Sequence, residues 1–248
     1  MSFKLPNDSD MPRAVIVDLD GTLLHHEPAH FQIKGRSGSS YFSRRSAELL
    51  FNISKIAPII IATGRNALSV KKLTDQISNI HFSGFILENG FVFRDSLNID
   101  NNRDDKWRYI RDRVPGWESL PGYENSLGLI PPKNFSNPAA YIEKIVRDSG
   151  EDWLIYPEHH KIFIYPQSPD KTTGLTSFNI QPFFALGNES NDMQLLSICS
   201  CPVTLQDSCY EIQDIVKKKN GYCSMLSSHL GTEDMLGWVY NKLQSGRS

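Results

Sequence analysis

Two aspartates, Asp18 and Asp20, stand one residue apart directly after a short apolar run, and Gly21 and Thr22 follow them. Gly21 permits a turn that directs both carboxylates into one crevice. One carboxylate could attack phosphorus to form an aspartyl phosphate, and the other could protonate the leaving oxygen and later activate water. Two adjacent acids repel each other, so we expect a bound cation, and Mg²⁺ is the hard ion that prefers oxygen ligands. Because Asp-x-Asp-Gly also occurs in calcium loops and ordinary turns, the pair alone does not settle its role.

Three further groups of polar residues could complete such a site. Thr63 could hydrogen-bond a phosphoryl oxygen, and Lys171 could neutralise charge on the nucleophile and the transferring group. Oxygen ligands for a metal are supplied by Asn188, Glu189, Asn191 and Asp192. Taken singly, these groups are typical of a turn, a solvated lysine and a helix N-cap. Together, and in this order, they favour a catalytic site.

Apolar runs that end in polar residues must position these groups. The runs are Ala14–Val17, Pro58–Ala62, Gly84–Leu87 and Pro182–Leu186. Continuous apolarity is typical of parallel strands buried on both faces, and helical patterns at 43–56 and 66–78 lie between them. The sequence therefore predicts an open α/β sheet with right-handed crossovers. Its ligand crevice should lie beyond the carboxyl ends of the strands, where the polar groups converge.

The segment 93–168 has a different pattern, which predicts a small α+β domain inserted into a core domain formed by 1–92 and 169–248. It contains a helix at Pro138–Asp148, with Ser136 or Asn137 as its N-cap. A hairpin follows, formed by Trp153–Tyr156 and Lys161–Tyr165. Residues 102–134 are rich in Pro and Gly and show little regular pattern. A last helix is predicted at Thr232–Leu243.

These motifs together resemble the haloacid dehalogenase superfamily, whose phosphatases carry Asp-x-Asp-Gly-Thr, a Ser or Thr, a Lys, and an acidic last loop. The resemblance spans almost the whole chain. Ala-Thr-Gly-Arg at 62–65, Glu-Asn-Gly at 88–90 and the position of the insert are similar to the sugar-phosphatase branch with a type-two cap, subclass IIB. That branch includes the Cof-like, sucrose-phosphate and mannosylglycerate-phosphate phosphatases, and also eukaryotic phosphomannomutases.

The resemblance implies a Rossmann-like three-layer core with a parallel sheet, carrying an α+β cap. It implies Asp18 as the nucleophile and Asp20 as the general acid and base. The implied site residues are catalytic Asp18, Asp20, Thr63 and Lys171; phosphate- or substrate-binding Leu19, Gly64, Arg65, Glu88 and Asn89; and the Mg²⁺ ligands Asp18, Asp20 (through its carbonyl), Asn188, Asn191 and Asp192.

The chain departs from the family pattern at Asn188, where the family usually has Asp. A neutral amide removes one negative charge near the metal, so we expect weaker Mg²⁺ binding unless Asp192, Asn191 or Glu189 compensates. The gap between Lys171 and Gly187 is also short for the usual intervening helix, and the segment 25–40 has no obvious family equivalent. Its histidines are an alternative set of metal ligands: His25, His26 and His30.

Composition limits the other function classes. The 248 residues carry a formal charge of −2 and include 40% hydrophobic residues, which is ordinary for a globular protein and gives no general attraction to nucleic acid or membrane. The first ten residues are polar and unlike a signal peptide. Cys199, Cys201, Cys209 and Cys223 lack zinc-site spacing, so we expect buried free thiols in the cytoplasm.

The leading hypothesis is a Mg²⁺-dependent phosphohydrolase acting on a phosphorylated sugar or glycosyl metabolite. The segment 93–168 is rich in aromatic residues, whose faces suit sugars; these are Trp107, Tyr109, Trp117, Tyr123, Tyr141, Trp153 and Tyr156. Most of them are expected to build the core of the insert, while Lys161, His159 and His160 could reach the site. The alternatives are a sugar phosphomutase and a non-catalytic protein that binds phosphorylated sugars.

Overall fold

A computed structural model describes residues 13–35, 38–97, 106–158, 160–178 and 180–245. Strands in these ranges are β1 (Arg13–Val17), β2 (Phe31–Lys34), β3 (Ser39–Phe42), β4 (Ile59–Ala62), β5 (Gly84–Leu87), β6 (Val92–Arg94), β7 (Glu118–Ser119), β8 (Leu127–Ile130), β9 (Leu154–Glu158), β10 (Lys161–Tyr165), β11 (Gln181–Leu186), β12 (Cys201–Thr204) and β13 (Tyr222–Cys223). Helices are α1 (Arg44–Ser54), α2 (Ala67–Thr74), α3 (Arg108–Arg111), α4 (Pro138–Ser149), α5 (Met193–Ile198), α6 (Tyr210–Lys218) and α7 (Ser228–Ser245). Short 3-10 helices lie at Asp75–Ile77, Glu88–Gly90, Leu175–Phe178 and Ser190–Asp192.

The central sheet has seven strands in the order β13-β12-β11-β1-β4-β5-β6. All neighbouring pairs are parallel except β5 and β6, which are antiparallel. Alternate residues of β1 face opposite sides: Val15 and Val17 pack with α1 and α7, whereas Ala14 and Ile16 pack with α5 and α6. Every residue of β4 and β5 is buried. The predicted α/β fold, with a mostly parallel sheet between two helical layers, is confirmed.

Local capping sets the helix boundaries close to the predicted ones. The Ser43 side chain accepts a hydrogen bond from the Ser46 amide at the start of α1, and Asn66 caps α2 in the same way. Asn137 caps α4, which ends at Gly150 in a left-handed conformation with φ of 76°. Helix α7 begins at Ser228, one turn before the predicted Thr232.

A separate antiparallel sheet has the order β7-β8-β10-β9. One of its faces packs on α3 and α4 through a buried cluster that includes Leu129, Ile142 and Ile162. The predicted hairpin is confirmed as β9 and β10, whereas His159 lies outside the described residues. Pro157 falls within β9, opposite Ile162; proline is tolerated there because β9 is an edge strand.

Two segments without a clear pattern in the sequence also contain regular structure. The range 106–134 includes α3, β7 and β8, while 102–105 lies outside the described residues. The segment 25–40 contains β2 and leads into β3, which pairs with β2 as an antiparallel hairpin. Such short elements leave no measurable periodicity.

The four cysteines are free thiols, but the expectation that all are buried is wrong. Cys199 is buried, Cys201 and Cys223 are half-buried, and Cys209 is exposed. The polar N-terminal residues 1–12 lie outside the described residues. None of the helices in the described ranges is long and apolar enough to cross a membrane.

Candidate active site

The carboxyl ends of β1, β4 and β11 lie side by side, because β1 pairs with both other strands. The Asp18 amide donates to the Leu186 carbonyl at 3.0 Å, and the Thr63 amide donates to the Ile86 carbonyl at 2.8 Å. These bonds extend the ladder past the strand ends and fix the backbone where the polar side chains begin. The sheet thereby brings Asp18 and Thr63 to one edge.

At that edge Lys171 bridges two buried carboxylates. Its Nζ lies 2.7 Å from Asp18 Oδ1 and 2.7 Å from Asp192 Oδ1. The side chains of Lys171, Asp18 and Asp192 are 1%, 6% and 0% exposed. Burial and the Asp192 carboxylate raise the pKa of Asp18, and the Lys171 ammonium opposes that rise. Burial lowers the pKa of Lys171, but the two carboxylates outweigh it and the net shift is upward. With both aspartates ionised this trio carries a net negative charge, which favours a further cation beside Asp18.

The lysine is held in place by backbone contacts between its loop and the 3-10 helix Glu88–Gly90. The Asp170 amide donates to the Asn89 carbonyl at 2.9 Å, and the Thr173 hydroxyl donates to the Gly90 carbonyl at 2.9 Å. A Cβ on Gly90, whose φ is +100°, would lie 1.9 Å from the Asp170 carbonyl oxygen. Glycine is therefore required at position 90. The close contact that it permits between the two loops positions Lys171 in the crevice.

The last loop is arranged around Asp192. Its Oδ2 accepts hydrogen bonds from the amides of Asn188 and Glu189, at 3.0 and 3.1 Å. Asn188 Oδ1 accepts from the Thr22 hydroxyl at 2.8 Å, and a Cβ on Gly21 would lie 2.3 Å from Asn188 Nδ2. The loop is thus joined directly to the Asp-x-Asp-Gly-Thr segment. Asn191, by contrast, is exposed at the surface of the loop.

Thr63 and the two residues after it form a donor group beside the trio. Thr63 is fully buried, and its Oγ1 accepts from the Arg65 amide at 3.2 Å. A Cβ on Gly64 would lie 3.1 Å from both side-chain polar atoms of Asn89. The side chain of Leu19 is buried in the core, so only its backbone can contribute to the crevice.

Arg65 forms a two-point ion pair with Asp20. Nε lies 2.7 Å from Oδ2 and a terminal guanidinium nitrogen lies 2.5 Å from Oδ1. The same nitrogen donates to the Ser40 hydroxyl at 3.2 Å. Burial lowers the pKa of Arg65, but the Asp20 carboxylate more than offsets this effect. Both Asp20 oxygens are engaged in this arrangement, although 53% of its side chain is exposed.

The Glu88 carboxylate is bonded to the loop that precedes β8. It accepts from the amides of Glu124, Asn125 and Ser126 at 2.7, 3.0 and 3.0 Å, and from the Ser126 hydroxyl at 2.7 Å. Burial raises the pKa of Glu88, and these hydrogen bonds partly offset the rise. Both oxygens are occupied, so we assign Glu88 to the connection between the two sheets; the sequence-based hypothesis that it binds substrate would require these bonds to break.

Comparison with known proteins finds the same architecture in solved structures. A haloacid dehalogenase-like hydrolase from Bacteroides thetaiotaomicron superposes with a TM-score of 0.68 at 13% identity, covering 92% of this chain and 99% of that one. A haloacid dehalogenase subclass IIB sugar phosphatase gives 0.60 at 15% identity, with 92% and 99% covered. A trehalose-6-phosphate phosphatase related protein gives 0.60 at 14% identity, with 95% and 100% covered. The chain has the haloacid dehalogenase fold. No protein-family model and no curated protein matches its sequence.

The donor set at the crevice of this haloacid dehalogenase fold is compatible with Mg²⁺. No group of three or more His, Cys, Asp or Glu side chains in the described ranges is arranged to hold a metal ion, so a site would need amide and backbone oxygens as well. Asp18 uses Oδ1 for Lys171, the Asp20 carbonyl lies on the adjoining turn, and Asn188 offers an amide oxygen. Both oxygens of Asp192 already accept hydrogen bonds, which suits it to holding the loop and Lys171.

The alternative histidine ligands have separate environments. His25 is bonded to the Thr232 hydroxyl at 2.7 Å, His30 contacts Arg44, and His26 is exposed. Sequence reasoning missed Ser40 beside Arg65 and Tyr165, whose hydroxyl accepts from Asn89 Nδ2 at 3.1 Å. No local sequence signal marks either residue, because both come to the site from other strands.

Proposed function

We propose that the chain is a Mg²⁺-dependent phosphohydrolase that forms an aspartyl phosphate on Asp18, and that its substrate is a phosphorylated sugar or glycosyl metabolite. The observation that carries this proposal is the buried trio in which Lys171 bridges Asp18 and Asp192. A buried ammonium between carboxylates at the ends of parallel strands holds charged groups where a phosphoryl group can be bound.

In the first step an oxygen of Asp18 attacks phosphorus, and the bond from phosphorus to the leaving oxygen breaks. Protonated Asp20 supplies its proton to that leaving oxygen, so the product leaves as an alcohol. The Thr63 hydroxyl and the following amides donate to the phosphoryl oxygens, while Lys171 offsets their charge. A Mg²⁺ ion bound by Asp18, the Asp20 carbonyl and Asn188 would supply further charge neutralisation.

In the second step Asp20, now a carboxylate, takes a proton from a water molecule. The water oxygen attacks phosphorus, the bond to the Asp18 oxygen breaks, and inorganic phosphate is released. Both residues return to their starting states.

Arg65 must change partners during this cycle, because its guanidinium occupies both Asp20 oxygens, one of which must contact the leaving oxygen. A phosphorylated ligand presents a competing anion to the guanidinium, and we propose that its binding releases Asp20, which takes up a proton from solvent before the first step. The paired state in the structure then corresponds to the resting enzyme.

We also propose that the antiparallel sheet and α4 form the predicted cap over the crevice. The insert predicted at 93–168 would then begin after Arg94, because Phe93 and Arg94 belong to β6 of the central sheet. Support comes from the hydrogen bonds between Glu88 and the loop before β8. The sugar phosphatases with the same fold support a phosphorylated sugar as substrate. The free thiols favour a cytoplasmic location.

Phosphate release from a panel of sugar phosphates with Mg²⁺ tests the function. We expect release by the wild type and at least about a thousandfold less by Asp18→Asn, because the amide is not a nucleophile. Asp152→Asn, at an exposed position, is the matched control and should retain full activity. Equal rates for the wild type and Asp18→Asn would refute the proposal.

A further inference from the structure

The antiparallel sheet has one face that α3 and α4 do not cover. Strand alternation and register place Tyr156, Glu158, Lys161, Phe163 and Tyr165 on this face, whereas Ile162 and Ile164 point into the cluster beneath the helices. We call the face bearing these five residues the cap face.

The cap face is in contact with the core beside the crevice. Tyr165 accepts a hydrogen bond from Asn89, whose side chain packs against Gly64. The Tyr165 ring also stacks on Phe91, with centroids 5.3 Å apart. Burial and the Glu158 carboxylate are among the causes that raise the pKa of Tyr165 to about 12, so its hydroxyl stays protonated. The cap face therefore lies next to Asn89 and Gly64, which are among the residues proposed to bind phosphate.

Two side chains on the edge strand of this face are open to a ligand. Tyr156 is 41% exposed and is held edge-on against Tyr165 at 5.4 Å. Glu158 is exposed and lies two residues from Tyr156 on the same face of the edge strand. The aromatic ring and the carboxylate thus lie together on the exposed edge of the cap face.

The charges near Tyr156 and Glu158 are unfavourable for binding an anion. Strands β9 and β10 place Glu158 and Lys161 opposite each other on the cap face, so that their charges balance. Across the crevice the last loop contributes Glu189, and the Arg65 guanidinium is paired with Asp20. A second phosphate or a carboxylate on the leaving group would face these acids without a surplus cation among the described strand residues of the cap face.

We propose that Tyr156 and Glu158 form the subsite for the leaving group, and that they select a polyhydroxyl group without negative charge. The Tyr156 ring packs against the C–H face of a sugar or polyol, and Glu158 accepts hydrogen bonds from its hydroxyl groups. Monophosphates of neutral sugars and polyols are then substrates, whereas bisphosphates and phosphorylated sugar acids are rejected. This inference rests on the proposed function.

Sorbitol 6-phosphate and 6-phosphogluconate form a matched pair for the test, because they differ in a CH₂OH group and a carboxylate at the far end of one chain. Acetyl phosphate, which has a small leaving group, reports on the catalytic groups alone. We expect the wild-type kcat/KM to favour sorbitol 6-phosphate by at least about tenfold. Glu158→Lys should shrink or reverse this preference, and Tyr156→Ala should lower kcat/KM more for sorbitol 6-phosphate than for acetyl phosphate. Glu143→Gln, exposed on α4, is the control and should leave all three values unchanged.

The outcomes separate this inference from the proposed function. Equal kcat/KM for the six-carbon pair, a preference that Glu158→Lys does not change, or hydrolysis of acetyl phosphate alone would overturn the subsite while leaving the phosphohydrolase intact. If the wild type hydrolyses none of the substrates faster than Asp18→Asn does, the phosphohydrolase itself is refuted, and the subsite with it.

Discussion

The catalytic edge of the central sheet and the cap face differ in how tightly their side chains are held. Lys171 and Asp192 are almost completely buried, and each has more than one polar partner. Tyr156 and Glu158 are exposed on an edge strand. Groups that stabilise a transition state must be pre-organised, whereas groups that recognise a leaving group need open surface. Under the proposed function, this contrast fits a rigid catalytic site combined with a recognition surface whose side chains can adjust.

Removing the buried ammonium should produce the largest effect. In Lys171→Met, Asp18 and Asp192 lose their common cation, so we expect activity to fall by about a thousandfold and the free energy of unfolding by about 3 kcal/mol. Phosphate release and urea denaturation measure the two effects. Lys218→Met, which removes an exposed ion pair to Asp214, is the control. A folded Lys171→Met that retains full activity would show that the catalytic edge is less constrained than the structure indicates.

Loss of the Glu88 hydrogen bonds, which connect the two sheets, should lower the free energy of unfolding by nearly as much. Glu88→Ala leaves three amides and the Ser126 hydroxyl without their acceptor, which we expect to cost about 3 kcal/mol. Urea denaturation measures the loss, and hydrogen exchange should become faster at the amides of 124–126. The control is Glu48→Ala, at an exposed position on α1. Unchanged protection of 124–126 would contradict the role of Glu88.

A histidine beneath the catalytic loop should make stability depend on pH. His25 bonds to the Thr232 hydroxyl, which donates to the Thr22 carbonyl. Burial, aided by His229, lowers the pKa of His25 from 6.5 to about 4. The unfolded chain therefore binds a proton between these values that the folded chain does not, so stability is lost as the pH falls from 6.5 towards 4.

We expect this loss to reach about 3 kcal/mol, because one pKa unit corresponds to about 1.4 kcal/mol and the pKa falls from 6.5 to about 4. Thermal midpoints measured across this pH range should fall less steeply for His25→Gln than for the wild type. His26→Gln, at the exposed neighbouring position, should follow the wild-type curve. Parallel curves for the wild type and His25→Gln would show that His25 does not cause the pH dependence of stability.

The smallest effect is expected at the position that departs from the family pattern. Asn188→Asp adds a carboxylate beside Asp18, which should lower the half-saturating Mg²⁺ concentration by about tenfold. The Mg²⁺-dependent rise in thermal midpoint gives a readout separate from activity. Asn191→Asp, on the exposed part of the same loop, is the comparison. No change in metal dependence for Asn188→Asp would exclude Asn188 as a ligand.

The central sheet was predictable because its strands are continuous apolar runs that end in polar residues, as at Val15–Asp18 and Ile59–Thr63. The placement of Asp18 and Thr63 at one edge of the sheet followed from that topology, whereas the position of Lys171 did not, because it follows no strand of the central sheet. The partners of Glu88 were not predictable, because a carboxylate at a strand end has the same local sequence whether it faces a ligand or a loop 36 residues later. The hairpin β9–β10 was predictable from its two apolar runs, whereas β7 and β8 were not, because they are short and lie in a segment with little periodic pattern.

Trapping the covalent intermediate tests the central claim most directly. With Asp20→Asn and acetyl phosphate, Asp18 can still be phosphorylated, because acetate leaves with little need for an acid, but the hydrolysis that requires Asp20 is slowed. Acid quenching and peptide mass spectrometry should find one phosphoryl group on the peptide that contains Asp18, and none in the Asp18→Asn/Asp20→Asn double variant. A phosphoryl group on another residue, or none in Asp20→Asn while the wild type releases phosphate, would contradict Asp18 as the nucleophile.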